Sequence, residues 1–222
     1  MTATAPAARR AYDAVKDRIL SGSFPAGELL SEVEVAHELA LSRTPVHEAF
    51  LRLEAEDLLR LIPRRGAVVV PVPPHEAADI LDVRRALETA AARRLATGTP
   101  SYAAARERLA ERLSALATEQ DGHAAARDVE AFAIADEEFH RAIVTASGNA
   151  LADRFYATLA DRQRRMTVGS VGGRPEHLPV LVAEHRRLAA LVTEGDAEAF
   201  EEALVSHLEA THDLLLGRGG GR

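Results

Sequence analysis

A chain of 222 residues that is 47% hydrophobic but only 4% aromatic has room for one large or two small domains, and its abundance of Ala and Leu favours helices. The absence of cysteine excludes a disulfide framework and a thiolate metal site, and no run approaches the ~18 apolar residues of a transmembrane helix. A net charge of −7 argues against nucleic acid unless positive charge is gathered locally, and here it is gathered: Arg43, Arg52, Arg60, Arg64 and Arg65 lie close together in a chain with a single lysine, Lys16.

The start, residues 1–8, is small and polar without an apolar signal core, so it is expected to be disordered, and the chain reads as a cytoplasmic protein. Arg9 to Ser21 follows a helical period that Gly22 ends, and Ser23 to Gly27 is a turn. Glu28-Leu29-Leu30 is short and extended. Ser31 with Glu34 three residues on fits a capping box, opening a helix with Val35, Ala36, Leu39 and Ala40 inward. A tight turn at Leu41 leads to Ser42, the expected N-cap of the next helix. There Val46, Ala49, Phe50 and Leu53 form one apolar stripe, while Arg43, Thr44, His47 and Arg52 occupy the other face. Two short helices joined this way make a helix-turn-helix, and the second suits a major groove. Leu61 to Val70 then reads as a hairpin whose Arg64-Arg65-Gly66 tip fits a wing touching DNA backbone or minor groove. The candidate DNA contacts are therefore Ser42, Arg43, Thr44, His47, Arg52, Arg64, Arg65 and Gly66.

Tyr12, Ile19, Gly22, Pro25, Gly27, Leu30, the run Ser42-Arg43-Thr44-Pro45-Val46, Glu48-Ala49, Arg52-Leu53 and the Arg65-Gly66 tip resemble the DNA-binding domain of GntR-family regulators. The resemblance covers residues 9–70 and implies a winged helix-turn-helix that binds double-stranded operator DNA. Two positions depart from it: His47 stands where the family usually has an operator-reading arginine, and Asp57 replaces a frequent glycine.

Pro71-Val72-Pro73-Pro74 is a stiff, extended stretch, and a linker is expected over 71–75. Beyond it the chain reads as an antiparallel bundle of six helices near 75–97, 101–119, 124–146, 150–168, 175–194 and 197–216, followed by a Gly-rich tail, 217–222, expected to be disordered. Asp136 and His140 are i and i+4, so they share a helix face beside Phe132, Phe139 and Ile143, whereas Glu137 and Glu138 should point to solvent. Polar groups beside a core stripe need partners, and His185 and His207 sit on leucine stripes of two later helices. Three histidines and an aspartate inside a bundle suit a divalent transition metal: zinc foremost, or nickel, manganese or iron. His37, His75, His123, His177 and His212 read as ordinary core or surface histidines.

This second arrangement resembles the FCD effector-binding domain of the FadR subfamily, and the helix count suggests its VanR-like subgroup. Asp136, His140, His185 and His207 match that domain's four ligand positions, Arg84 looks like its first-helix arginine, and Ser147-Gly148-Asn149 matches its helix-ending turn. The resemblance spans about 76–216. It implies a small organic-acid effector held with the help of the metal and Arg84. The expected whole is mainly α: a winged helix-turn-helix followed by an all-α bundle that binds effector and forms a homodimer, with Ile80, Val83 and Leu87 a candidate interface. The first functional reading is a ligand-responsive regulator, most often a repressor, on a palindromic operator; the alternative is a metal-dependent hydrolase with its active site in the bundle.

Overall fold

Residues 4–216 are described by a computed structural model and fall into two units, one ending at Val72 and the other beginning at Pro73. The first three residues and the expected tail, 217–222, lie outside the described residues.

In the first unit, α1 spans Thr4–Leu20. It begins before Arg9, so residues 4–8 are helical where disorder was expected: Pro6 is tolerated in a first turn, alanine is the best helix former, and Ala8 is buried. β1 (Leu29–Leu30) precedes α2 (Glu32–Glu38), whose cap Ser31 accepts the backbone N–H of Glu34 as a capping box requires. Ala40, at φ 52, turns the chain into α3 (Arg43–Ala55). Ser42 occupies the N-cap position of α3 with extended backbone, but its side chain makes no capping bond, contrary to expectation. Asp57 adopts a left-handed φ of 57, which explains both the glycine usual there and why Asp, one of the few side chains that tolerates this region, stands in for it.

β2 (Leu59–Ile62) and β3 (Gly66–Val69) form the hairpin, and β3 lies centrally in an antiparallel sheet of order β1-β3-β2. Leu30 pairs with Ala67 and Ile62 with Gly66. A Cβ at Gly66 would stand 2.0 Å from the Leu30 carbonyl oxygen, and φ there is +113°, so only glycine lets the wing pass this close to β1. Val15 and Ile19 from α1, Val46, Ala49, Phe50 and Leu53 from α3, and Leu59, Ala67 and Val69 from the hairpin share one core. That core turns the stripe of α3 inward and leaves Arg43, Thr44 and His47 outward.

The second unit holds α4 (Pro74–Leu95), α5 (Pro100–Ala126), α6 (Val129–Ala146), α7 (Ala150–Ala157), α8 (Ala160–Val171), a 3-10 turn (Pro175–His177), α9 (Leu178–Glu194) and α10 (Ala197–Leu215). Pro74 and His75, expected in the linker, form the first turn of α4. Two other expected boundaries differ. Asp121-Gly122 does not end α5, because Leu113, Leu116, Ala117, Gln120 and Ala124 keep one face buried on both sides of it, and that packing outweighs the ~1 kcal/mol preference against a helical glycine. The fourth of the six expected helices is divided into α7 and α8: the Thr158 and Leu159 N–H groups bond three residues back, and the Thr158 hydroxyl takes the Phe155 carbonyl. Asp128, Asn149 and Asp196 cap α6, α7 and α10 through their side chains. Of the three residues offered as a dimer face, Ile80 is buried inside this unit, Leu87 is half-buried and Val83 is exposed.

Candidate metal centre and nucleic-acid interface

The N-terminal end of α3 and the wing line one open groove, with Arg43, Thr44 and His47 on one side and Ile62 to Gly66 on the other. Arg64 and Arg65 are exposed at the tip. The sequence did not reveal Glu32. Its carboxylate reaches in from the start of α2, with one oxygen 2.7 Å from His47 Nδ1 and the other accepting from Arg43 at 3.2 Å. Burial alone would raise the Glu32 carboxyl, but the His47 and Arg43 contacts outweigh it and hold the group below its ordinary value. Arg52 departs from expectation. Its guanidinium lies 4.1 Å over the Tyr12 ring, and it does not line the groove.

In the helical unit the structure brings together the four residues singled out by pattern. Asp136 and His140 project from α6, His185 from α9 and His207 from α10; all four are buried, and one donor atom from each lies within 4.8 Å of the others. Metal–nitrogen bonds of about 2.1 Å require donors no more than roughly 4.2 Å apart, so a small inward shift seats an ion. His185 Nε2 is 3.3 Å and His140 Nε2 is 3.9 Å from the same Asp136 oxygen.

The partners of these side chains explain the convergence. His140 Nδ1 lies 2.8 Å from Glu88, His185 Nδ1 lies 2.8 Å from the Gln120 side-chain oxygen, and His207 Nδ1 lies 2.7 Å from Glu184. Each acceptor takes the Nδ1 proton and leaves Nε2 as the coordinating atom, the second layer expected around ligating histidines. The Nε2 atoms of His140 and His185 are buried and have no hydrogen-bond partner among the described residues. Two buried, unpartnered imidazole nitrogens beside one carboxylate suit a shared cation, because such nitrogens are costly without a partner. The Thr167 hydroxyl donates to the other Asp136 oxygen at 3.0 Å.

Electrostatics favour neutral His140 and His185 and an ionised Asp136, the states in which these groups can bind a metal. Burial lowers both His140 and His185, the latter to about 3, with Glu88 and Asp136 pulling only partly the other way. Burial opposes charge on Asp136, but the close approach of His185, with His140 and the Arg84 guanidinium beside it, prevails and holds its carboxyl far below the usual range.

Glu88 is the hub of this site. Fully buried, it accepts from Arg84 Nε at 3.0 Å and the Tyr156 hydroxyl at 2.6 Å as well as from His140. Burial works against its charge; His140 and Arg84 overcome that and bring it down to about 2. Arg84 thus spends Nε on Glu88, while one of its terminal amino groups is buried without a hydrogen-bond partner among the described residues. Arg84, Asp136, Thr167, Ser170, His207 and Thr211 surround a small cleft closed by Val171, Leu181 and Leu214. Glu137, expected in solvent, is buried, with Arg164 3.7 Å away. Glu138, the next residue, is exposed as expected.

Glu32, Glu88, Gln120, Tyr156, Thr167 and Glu184 were absent from the sequence reading. The one available signal was Glu88, four residues after Arg84 and therefore on the same helix face.

Comparison with known proteins agrees with both halves. Residues 7–69 match the family described as bacterial regulatory proteins, gntR family, and residues 79–210 match the FCD domain. A protein of Paenarthrobacter nicotinovorans named "Probable D-xylose utilization operon transcriptional repressor" is 30% identical over 96% of this chain and 91% of its own length. An uncharacterized HTH-type transcriptional regulator of Streptomyces ambofaciens is 30% identical over 92% of this chain and 83% of its own. Among solved structures, a GntR transcriptional regulator from Rhodococcus sp. RHA1 superposes with a TM-score of 0.75 at 23% identity, covering 97% of this chain and 99% of that one, so it shares the fold. Nothing in these comparisons supports the hydrolase alternative: the family and the relatives are transcription regulators and not enzymes. No helix among the described residues is long and apolar enough to cross a membrane. The chain belongs to the GntR family of bacterial transcriptional regulators, with a DNA-binding winged helix-turn-helix joined to an effector-binding FCD domain.

Proposed function

We propose that this regulator is a repressor that binds a palindromic operator as a homodimer in the cytoplasm and responds to a small organic acid held beside a divalent metal. The observation that carries the sensing half is the set of three buried histidines whose Nδ1 atoms are all taken and whose remaining nitrogens converge with Asp136, next to an unpartnered amino group of Arg84. Asp136, His140, His185 and His207 would hold the ion, which would supply a positive centre for one end of a carboxylate. The donor set of three imidazoles and one carboxylate suits zinc first, then nickel, manganese or iron. Arg84 would supply a planar donor to the same carboxylate from the far side of the cleft.

Arg43, Thr44 and His47 would enter the major groove, with Ser42 beside them and Arg64, Arg65 and Gly66 following the backbone; Arg52 would contribute through packing on Tyr12. A two-fold dimer doubles this short reading surface, and a palindrome is its natural site. Effector binding would alter operator affinity by whatever free energy separates its affinities for the two states.

A gel-shift titration tests both halves. Arg43→Ala is expected to lose about 1–3 kcal/mol of operator affinity, the worth of a good base contact. Arg84→Lys keeps the charge but loses the fork, so it should bind operator normally and shift the response to a panel of small carboxylic acids at least tenfold higher in concentration, about 1.4 kcal/mol. Unchanged operator affinity in the first, or an unchanged acid response in the second, would overturn the corresponding half.

A further inference from the structure

Glu32 is the only carboxylate among the described residues that line the groove, which is otherwise rich in cationic donors: Arg43, Arg64 and Arg65. Its side chain is largely shielded, at 15% exposure, while those of its partners Arg43 and His47 remain open, at 68% and 51%. It is the first residue of α2, where the helix end favours the ionised form. An ionised carboxylate can only accept, so the 2.7 Å contact between Glu32 Oε1 and His47 Nδ1 places the ring hydrogen on Nδ1. In a neutral imidazole the other nitrogen, Nε2, then has a free lone pair and no hydrogen. The other Glu32 oxygen holds one Arg43 amino group and leaves the rest of that guanidinium available to DNA.

We propose that Glu32 is a specificity-determining residue that fixes the tautomer of His47, so that His47 presents an acceptor to the major groove and selects a base offering an amino group, adenine or cytosine. The inference rests on the reading of His47 as a groove residue and reverses what the arginine usual at that position would do. Arginine donates to guanine O6 and N7; a neutral His47 locked on Glu32 meets those atoms with a lone pair and is repelled by them. Adenine N6 and cytosine N4 carry the matching hydrogens. Glu32 acts on the base through His47 and is in this sense a positioning residue.

The test uses the full chain at pH 8.5. Binding sites are selected from a random duplex library with wild type, Glu32→Ala and His47→Ala. Wild type should show one position with adenine or cytosine preferred roughly fivefold, the weight of one neutral hydrogen bond. Both variants should flatten that position to within about twofold, and His47→Ala, which leaves the Arg43–Glu32 contact in place, should keep the preference read by Arg43, which a general loss of fold would also erase. A second measurement needs no variant: the 15N chemical shifts of the His47 ring in the free wild-type protein should show hydrogen on Nδ1. Guanine or thymine at the position, hydrogen on Nε2, or a preference that survives in Glu32→Ala but not in His47→Ala would each overturn the role of Glu32. A logo unchanged in His47→Ala at every position would instead refute His47 as a reader, leaving the rest of the DNA reading standing.

Discussion

The two polar sites of this chain treat their charged groups in opposite ways. At the groove, Arg43 and His47 are exposed and share one acceptor, Glu32, which uses only part of their hydrogen-bonding capacity and leaves the rest open to DNA. In the helical unit, Glu88, Arg84, Asp136, His140 and His185 are sealed from water, and nearly every donor is matched to an acceptor except the nitrogens and the amino group that face the proposed ligands. A surface that must meet a long polymer keeps its groups accessible. A centre that must recognise one ion and one small acid is fixed in advance and left incomplete at the atoms the ligand supplies. The difference is expressed in energy: the same kind of substitution should have small effects on stability in one place and large effects in the other.

Glu88→Ala should break that contrast most severely. It strips Arg84 and His140 of a buried partner and leaves an uncompensated charge, so the helical unit should lose about 3–5 kcal/mol in chemical denaturation. Next in size is metal itself. An ion that binds only the folded unit stabilises it by about 4 kcal/mol at a thousandfold excess over its dissociation constant, which calorimetry should register as a rise in melting temperature reversed by a chelator.

The third effect is on pH and has a definite sign. His185, at about 3 when folded, and His140, also lowered, bind fewer protons folded than unfolded below the ordinary value near 6.5. The metal-free helical unit should therefore weaken as pH falls from about 6.5, by up to about 1.4 kcal/mol per pH unit for each histidine, and for His185 this should continue down toward 3. Below about pH 4.5 the lowered carboxyls of Glu88 and Asp136 add to the loss. Melting temperature against pH checks it; a flat profile between 6.5 and 5 would mean that these histidines are not held neutral. The smallest effect is at the groove, where Glu32→Ala should change stability by less than about 1 kcal/mol because its partners are exposed.

What was legible in the sequence follows from how local the cause is. The winged unit is punctuated by turn residues, and its elements announce themselves: Ser31 caps α2, Gly66 stands where the wing nearly touches Leu30, and the α3 stripe sets which face is outward. The four residues of the candidate centre stood out because a titratable side chain on an apolar helix face demands a reason. Their partners did not stand out. Glu88 lies 52 residues from His140, Gln120 lies 65 from His185 and Glu184 lies 23 from His207, and only the packing of the bundle brings them together. Glu32 was hidden in the same way, 11 and 15 residues from the side chains it binds. The continuity of α5 through Gly122 was missed because the burial of one face there overrides local propensity, and the break between α7 and α8 because it rests on a tightened turn at Thr158 that no glycine or proline marks.

Elemental analysis of the purified protein, dialysed against metal-free buffer and compared with the His185→Ala/His207→Ala double variant, tests the central claim most directly. Close to one divalent transition metal ion per wild-type chain and almost none in the variant is expected, with operator binding retained by the winged unit. A wild-type chain that takes up no such ion when offered zinc, nickel, manganese or iron, or a double variant that keeps a full equivalent, would contradict it.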